Sequence, residues 1–270
     1  MEIISRITTQ KKHKHRYNIF LKQGEDEAYG FSVDEDILIK FHLHKGMELD
    51  DQTKQTLIQK DALHKTYTLA LHFLSFRMRS KKEIAEYLSK KEVDIEEINV
   101  VVQRLEDEGL LDDREFAIAF VRTRMNTTSK GPMLIKRELM EKGVRADIAD
   151  EALTHYPFEL QVEKASKLVD KKLTASRNKS FQQQIIALKQ NLMQKGFSGN
   201  VLEIVMEDVQ EQKDEDAEWD AIVLQGEKIV RKFAKKASGS ELKYKVKGSL
   251  YQKGFKMDEI ERFLETIDQE

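Results

Sequence analysis

The chain lacks cysteine altogether and has only two prolines among its 270 residues. Without cysteine it cannot form disulfide bonds, thiolate zinc sites or a thiol nucleophile. Scarce proline leaves long stretches in which helices can run without interruption. The sequence also lacks an apolar run near the roughly 20 residues of a membrane span. Its first residues lack the apolar core of a secretory signal. We therefore expect a cytoplasmic protein.

Recognisable catalytic signatures are missing as well. The sequence has no Gly-x-x-x-x-Gly-Lys-Ser/Thr loop, no Gly-x-Ser-x-Gly elbow and no His-Glu-x-x-His pair. Two His-x-His pairs are more simply interpreted as exposed polar side chains than as metal ligands. We therefore expect a binding protein and not an enzyme, with no cofactor, no metal and no catalytic residue.

What the sequence does contain is a short block that occurs four times. The copies begin at Leu88, Leu139, Leu192 and Leu250, with spacings of 51, 53 and 58 residues. Each copy ends five residues later in valine or phenylalanine. Three of the four carry Lys-Gly just before that residue, and the first carries Glu92 in place of the glycine. Self-similarity at such a period indicates stacked supersecondary units.

Each block closes one predicted helix and precedes another. Apolar residues recur after it at offsets 0, 3, 4 and 7, which is the stripe of an amphipathic helix. The glycines Gly143, Gly196 and Gly254 suit the left-handed residue that ends a helix, so Glu92 should give a different or mildly strained turn. A further helix precedes each block, near residues 62–78, 113–125, 158–173 and 217–236.

The first 50 residues break the helical pattern. Strand-like runs at Glu2–Thr8, Tyr17–Leu21 and Tyr29–Val33 predict a small β module. Helices are predicted after it, near Asp34–Leu43 and from about Asp50. The predicted fold is mainly α, with tandem three-helix repeats in an elongated array and this module at the N-terminus. The predicted boundaries are 1–50 for the module and 51–111, 112–157, 158–212 and 213–270 for the repeats.

The charged residues follow the repeat, although the net charge is only −2. The third helix of each unit is acidic, and the second helix with the turn that enters it is basic. From Lys228 to Lys256 the chain has ten Lys and Arg residues and one acidic residue, Glu241. Such a surface suits phosphates, or a protein already bound to nucleic acid, although a merely solvated face shows a similar pattern. The candidate binding residues are Arg122, Arg124, Lys130, Lys136, Arg137, Arg231, Lys232, Lys235, Lys236, Lys243, Lys245 and Lys247.

A helix-turn-helix interpretation of the first unit is also open. Ser80–Leu88 would be its first helix and Asp94–Glu108 its recognition helix. The exposed residues of this proposed recognition helix are mostly Glu and Asp, which phosphates repel. Base readout usually needs Arg, Lys, Asn or Gln. All four units share this composition, so a transcription factor that reads duplex sequence is the weaker alternative.

Six segments of the sequence carry a resemblance to a known family. They are Ala70–Ser80, Glu83–Leu88, Leu105–Asp113, Phe116–Arg124, Gly131–Leu139 and Glu141–Gly143. These segments resemble the RecX family of bacterial recombination regulators, in the long form of Gram-positive bacteria. The resemblance implies tandem three-helix repeats and a regulator that is not an enzyme. It further implies binding to the RecA recombinase filament on single-stranded DNA, with inhibition of its ATP hydrolysis and strand exchange. We expect a monomer. The alternative is a non-specific nucleic-acid-binding repeat protein without a recombinase partner.

Positions that recur in the family are expected to be mainly structural in this chain. Arg122, Arg124 and Lys130 are the polar ones expected to reach a partner. The chain departs from the family at Glu92 and in longer basic segments before two of the second helices, Lys171–Lys179 and Lys228–Gly239. The residues expected to form caps, core and turns are Asp113, Phe116, Phe120, Leu139, Gly143, Gly196 and Gly254.

Overall fold

The computed structural model describes residues 1–175, 178–211 and 214–267. Within these ranges the chain forms a four-stranded sheet and 13 helices, which confirms a mainly α fold of three-helix repeats with an N-terminal β module. The predicted boundary between residues 212 and 213, part of Lys171–Lys179 and the last three residues lie outside the described ranges. Inside them, no helix combines the length and the apolar composition of a membrane span.

The chain divides into two compact units. The first contains Met1–Phe116 together with Lys142–Val144. The second contains Ala117–Glu141 and the chain from Arg145 onward. The short turn at residues 142–144 therefore folds with the first unit, although it belongs to the second repeat in sequence.

The first unit begins with the β module. Alternate side chains of its strands, such as Ile19, Leu21 and Phe31, are buried, as the two-residue period of a strand requires. The three predicted strands are confirmed, whereas a fourth was missed because two residues are too short to show alternation. The sheet is antiparallel in the order β3-β2-β1-β4, and its strands are β1 (Glu2–Thr9), β2 (Arg16–Gln23), β3 (Asp26–Asp34) and β4 (Glu48–Leu49).

Two helices of the first unit differ in length from their predictions. Helix α1 (Glu35–Lys40) is shorter than the predicted 34–43, and the left-handed backbone of His42, with φ of 50°, follows its end. Helix α2 (Asp51–Leu74) is continuous over 24 residues. The sequence indicated separate helices here because the apolar stripe of α2 changes direction along its length.

The buried face of α2 changes along the helix because its two halves pack on different cores. Leu57 belongs to the core of the β module, and Ala70 belongs to the core of the first repeat. The buried carboxylate of Asp61 lies between these halves and accepts a 2.6 Å hydrogen bond from Arg16 of β2. One helix thus joins the module to the first repeat.

The apolar columns of the repeated pattern form the repeat cores. In the first repeat, Ile84, Leu88, Ile98, Val101 and Leu105 are all buried. The equivalent residues of the third and fourth repeats are buried or partly buried in cores of their own. The helices after α2 are α3 (Lys81–Ser89), α4 (Ile95–Asp107), α5 (Asp113–Thr127), α6 (Pro132–Glu141), α7 (Ala146–Leu153), α8 (Phe158–Ala175), α9 (Phe181–Gln194), α10 (Gly199–Glu211), α11 (Glu215–Phe233), α12 (Gly239–Gln252) and α13 (Met257–Ile267).

The Lys-Gly turns of the repeated block are joints between successive repeats. At each joint, the residue that precedes a second helix donates a hydrogen bond to the lysine carbonyl oxygen of the next repeat's turn. A serine hydroxyl donates at the first and last joints, and a glycine amide donates at the middle joint. The three pairs are Ser80 with Lys142 (2.6 Å), Gly131 with Lys195 (2.7 Å), and Ser180 with Lys253.

Gly143 and Gly196 of these turns are required by close packing as well as by backbone conformation. Gly143, Gly196 and Gly254 have φ of 83°, 83° and 80°, the left-handed region expected of a residue that ends a helix. A Cβ on Gly143 would lie 2.5 Å from the Cβ of Lys82. A Cβ on Gly196 would lie 2.5 Å from the backbone nitrogen of Leu134. The docked helix therefore leaves no room for a side chain.

Glu92 occupies the glycine position of the first copy. Its backbone is left-handed, with φ of 61°, like the backbone of the glycines in the other three copies. The turn therefore keeps the shape of the other copies and has the mild strain of a non-glycine residue in that region. Its side chain is exposed. A side chain is tolerated here because each joint pairs a second helix with the turn of the following repeat, and the first repeat follows none.

Two of the joints add a carboxylate from the first helix of the next repeat. The Lys81 amide donates to Asp113 Oδ1 at 2.9 Å, and the Phe181 amide donates to Glu218 Oε2 at 2.7 Å. Both amides lie at helix N-termini, where free N–H groups attract negative charge. At the middle joint the equivalent residue is Pro132, which has no N–H to satisfy.

Asp113 thus caps a helix other than its own. Asp112 performs the local capping of α5, since its Oδ1 accepts from the amide of Arg114 at 2.7 Å. An aspartate at a helix start is usually read as the cap of that helix. Here the second of the two neighbouring aspartates is buried and serves α3.

Candidate functional site

Glu138 of α6 holds two of the predicted cations of the second repeat. Its carboxylate accepts a 2.8 Å hydrogen bond from Arg124 Nε and forms an ion pair with Lys130. Burial raises the pKa of Glu138, but the hydrogen bond from Lys130 and the charge of Arg124 outweigh burial and hold that pKa below its ordinary value. Arg124 also lies 4.7 Å from the ring centre of Phe120. Both cations are therefore oriented by contacts within the chain.

Two of the three remaining candidate cations of the second repeat are more accessible. Arg122 of α5 and Arg137 of α6 are exposed. Lys136 is partly exposed and pairs with Asp150 of α7 at 2.5 Å. In this group, Arg122 and Arg137 are the guanidinium groups that solvent reaches most freely.

The fourth repeat contains the other seven candidates, and three of them form ion pairs with acidic residues. Lys235 and Lys236 follow the end of α11 and are exposed, and Lys243 is partly exposed. Lys232 lies 5.5 Å from the ring centre of Phe233. The ion pairs are Arg231 with Glu227 (3.3 Å), Lys245 with Glu241 (2.6 Å) and Lys247 with Glu261 of α13 (2.9 Å).

This surface is less cationic than the sequence count indicated. The sequence from Lys228 to Lys256 contains one acid, but Glu227 and Glu261 lie outside that window and pair with cations inside it. Exposed ion pairs stabilise a protein by only about 0.2–1 kcal/mol. A phosphate can therefore replace a carboxylate partner at little cost, and the surface remains suited to weak contact with an anionic partner.

Two exposed tyrosines of α12 were missed by the sequence analysis. The side chains of Tyr244 and Tyr251 are 80% and 62% exposed. On the opposite face of α12, Val246 and Leu250 are fully buried. A spacing of seven residues places the two rings on one face, two turns apart. The same spacing could have been read from the sequence once the buried face was assigned.

An open groove lies beside Tyr251, between α9 and the end of α12. Its walls are rich in amide side chains and contain one lysine. The residues that line it include Lys179, Gln182, Gln183, Ile186, Gln190, Tyr251 and Gln252. Such a groove offers hydrogen bonds and apolar contact together, without the converging acid–base groups of a catalytic site.

The acidic first turn of α4 argues against the helix-turn-helix interpretation. Its first turn contains Glu96 and Glu97, at the end from which a recognition helix normally contacts bases. Glu97 also accepts a hydrogen bond from Thr66 of α2. Acidic groups at that end oppose approach to phosphates.

Models of the RecX family match four parts of the chain. The model of the regulatory protein RecX N-terminal domain matches residues 2–50. The models of the first, second and third RecX three-helix domains match residues 67–105, 112–153 and 216–264. The four matched segments follow the order of the β module and the helical repeats.

Relatives of the same name match almost the whole length. The regulatory protein RecX of Oceanobacillus iheyensis is 52% identical over 266 residues, which cover 98% of each chain. That of Halalkalibacterium halodurans is 43% identical over 268 residues, covering 98% of this chain and 99% of the other.

Two solved structures of the same name are also similar to this chain. A crystal structure of regulatory protein RecX is 36% identical, with a TM-score of 0.68 over 77% of this chain and 100% of that one. The crystal structure of RecX from Lactobacillus salivarius is 34% identical, with a TM-score of 0.54 over 56% of this chain and 98% of that one. The chain therefore belongs to the RecX family of regulatory proteins.

Proposed function

We propose that this chain binds the RecA recombinase filament on single-stranded DNA and inhibits its ATPase and strand-exchange activities. The observation that carries the proposal is the 52% identity to a regulatory protein RecX over 98% of both chains. The partner is the one that the family resemblance implies. It would place the protein in the cytoplasm, acting as a monomer without catalytic residues.

The repeated structure supports this proposal physically. A filament presents the same protomer surface many times, and a chain of similar three-helix repeats offers several related surfaces in return. Weak contacts on separate repeats then add to a useful avidity, because each later contact forms at a high effective concentration. Exposed cations such as Arg122, Arg137 and Lys235 are suited to such weak contacts.

The proposal is tested by RecA ATPase and strand-exchange assays on single-stranded DNA, with and without the full chain. The matched comparison uses two triple variants that change the net charge equally. Lys243→Glu, Lys245→Glu and Lys247→Glu alter the proposed surface. Lys22→Glu, Lys45→Glu and Lys60→Glu alter exposed lysines of the β module and α2. We expect the first triple variant to lose inhibition and the second to keep it.

Two results would contradict the proposal at different levels. If the unmodified chain leaves RecA ATPase and strand exchange unchanged, the recombinase is not its target. If both triple variants inhibit as well as the unmodified chain and remain folded by circular dichroism, the fourth repeat is not a binding surface.

Non-specific binding to nucleic acid, with no recombinase partner, is the second candidate function. The ten cations between Lys228 and Lys256 favour it. It predicts binding to bare single strands that weakens steeply with salt. Binding that appears only when recombinase coats the strand would reject it.

A further inference from the structure

Helix α12 presents an aromatic stripe that the fold does not use. Tyr244 and Tyr251 project from the same exposed face, while Val246 and Leu250 bury the opposite face in the fourth-repeat core. At 1.5 Å of rise per residue, the two tyrosines stand roughly 10.5 Å apart along the helix axis. Single exposed aromatics are ordinary on a protein surface, but two in register on one helix face form a platform.

Gly248 lies between the two tyrosines and keeps the platform open. It belongs to the middle of α12 and has no left-handed φ, so the backbone does not require glycine there. A Cβ built on it would meet no atom of the described residues within 4 Å, so packing does not require glycine either. Glycine inside a helix is destabilising relative to alanine. Glycine at this position leaves the helix backbone open to close approach of a group from outside.

Gly226 of α11 differs from Gly248 in its packing. It is also a glycine inside a helix of the fourth repeat, but a Cβ there would lie 2.1 Å from the ring of Phe263. Packing inside the repeat explains Gly226 completely, whereas it offers no explanation for Gly248.

The groove beside Tyr251 extends the platform toward α9. Gln182, Gln183 and Gln190 line one wall, and Gln252 follows Tyr251 on the other. Amide side chains donate and accept hydrogen bonds without charge, and they can therefore match the varied edges of unpaired bases. Lys179 at the same groove supplies a cation for a phosphate.

Two of the lysines beside the stripe are paired with acidic side chains. Lys247 lies between the two tyrosines in sequence and pairs with Glu261 at 2.9 Å. Lys245 pairs with Glu241 at 2.6 Å. A ligand held here therefore gains more from contact with aromatic faces than from bulk electrostatic attraction. This distinguishes the stripe from a simple polycation surface.

We propose that the Tyr244–Gly248–Tyr251 stripe of α12 binds single-stranded nucleic acid by stacking bases on its tyrosine rings. A separation of roughly 10.5 Å corresponds to about three nucleotides if the strand keeps the roughly 3.4 Å rise that it has in a duplex. Base–aromatic stacking tolerates any base, since every base has a π-face. The strand would pass over Gly248, with its neighbouring nucleotides in the glutamine groove. The inference does not depend on recombinase binding, because the ligand is the bare strand.

The test measures fluorescence anisotropy of a labelled deoxythymidine strand of about 12 nucleotides, without recombinase, against the full chain. Tyr244→Ala with Tyr251→Ala should weaken binding by roughly fivefold or more for each ring lost. Tyr244→Phe with Tyr251→Phe should bind within about twofold of the unmodified chain, because phenylalanine keeps the stacking face. Gly248→Leu should also weaken binding, although both tyrosines remain. Leucine favours the helix more than glycine does, so unfolding would not explain that loss.

Salt dependence provides a second measurement on the same samples. One or two phosphate contacts predict a slope of log K against log salt of roughly −0.7 to −1.4. A much steeper slope that the alanine pair leaves unchanged would show that lysines alone hold the strand, and it would overturn the proposal.

Other outcomes would overturn it as well. Equal affinity of the alanine pair and the unmodified chain would remove the role of the rings. No binding of the bare strand, combined with lost recombinase inhibition in the alanine pair, would show that the stripe is a protein-docking face. Inhibition of recombinase by a chain that never binds the bare strand would leave the proposed function intact while rejecting this inference.

Discussion

The Ser80 hydroxyl donates a 2.6 Å hydrogen bond to the carbonyl oxygen of Lys142, which lies 62 residues away in sequence. The Lys142 ammonium group contacts Glu83 Oε1 at 2.8 Å. Glu83 and Ser80 also form the reciprocal capping box of α3. One lysine of the repeated block therefore binds the N-terminus of the preceding repeat's second helix through its backbone and its side chain. The joint and the helix cap are a single hydrogen-bonded cluster.

Removal of the Ser80 hydroxyl should destabilise this joint. Ser80→Ala loses both the N-cap of α3 and the bond to Lys142, and we expect a cost of about 1–3 kcal/mol. The measurement is amide hydrogen exchange of α3, which reports local opening. Ser89→Ala at the other end of α3 is the control. Equal protection in both variants would show that the joint adds no stability.

Joint glycines should tolerate alanine poorly, and to different degrees. At Gly196 a Cβ would approach the backbone nitrogen of Leu134 to 2.5 Å, whereas at Gly254 its nearest atom would be the Ser180 hydroxyl oxygen at 3.1 Å. The first approach requires the backbone to move, and the second requires only a small shift of a side chain. We therefore expect Gly196→Ala to lower the free energy of unfolding by more than Gly254→Ala, in urea titrations followed by circular dichroism. The reverse order would contradict the close-packing explanation.

Glu92→Gly should stabilise the chain, whereas alanine at the joint glycines should destabilise it. The residue adopts left-handed φ without glycine, and relief of that strain is worth about 1 kcal/mol. We expect slightly higher thermal stability and no change at the joints. Glu92→Ala, which keeps a Cβ in the same conformation, is the control and should not stabilise the chain. A stabilisation shared by both variants would indicate relief of charge repulsion instead.

The first unit should lose stability in acid partly through Glu83. Burial raises the pKa of Glu83, but hydrogen bonds from Arg77, Lys142 and Ser80 outweigh burial and lower that pKa to about 2 from an ordinary value of 4.5. A carboxyl whose pKa is lower in the folded state stabilises the fold above its unfolded pKa. This contribution is therefore complete above pH 4.5 and disappears as the pH falls toward about 2.

The measurement compares the unmodified chain with Glu83→Gln by urea unfolding from about pH 6 to about pH 3. The difference in unfolding free energy between the two proteins should shrink as the pH falls. Glu86→Gln changes an exposed carboxylate of the same helix and serves as the control. A difference that stays constant with pH would rule out the titration of Glu83 as the cause.

The pair of Lys247 with Glu261 permits a charge-swap test of the proposed recombinase surface. Lys247→Glu alone changes the charge and breaks the pair. Adding Glu261→Lys restores a pair of reversed polarity and the original net charge. If position matters, the double variant should be folded and still inhibit RecA ATPase less than the unmodified chain. Full recovery of inhibition would indicate that the pair serves stability only.

Much of the fold was readable from the sequence. The apolar columns around Leu88 and its three counterparts predicted buried helix faces, and the residues observed there are buried or partly buried. Helix periodicity is a local property, so short windows of sequence are enough to reveal it. The left-handed turns at Gly143, Gly196 and Gly254 followed from the same local reasoning.

The candidate binding site was less readable. The sequence analysis predicted that Arg124 and Lys130 reach a partner, yet both bind Glu138 within the chain. Lys247 was also counted as unopposed, although its partner Glu261 lies 14 residues away on another helix. Charge patterns along a chain do not reveal which acids are folded against which bases.

The sequence by itself determined the number of repeats, their helices and the residues of their cores, because spacing along a helix fixes which side chains share a face. Tertiary structure alone decided what the Lys-Gly blocks do. The lysine carbonyl oxygens of these blocks accept hydrogen bonds from the residues that precede the second helices of the preceding repeats. Asp113 and Glu218 accept hydrogen bonds from backbone amides that lie more than 30 residues away. Those partners are chosen by how one repeat packs on the next, which no local pattern encodes.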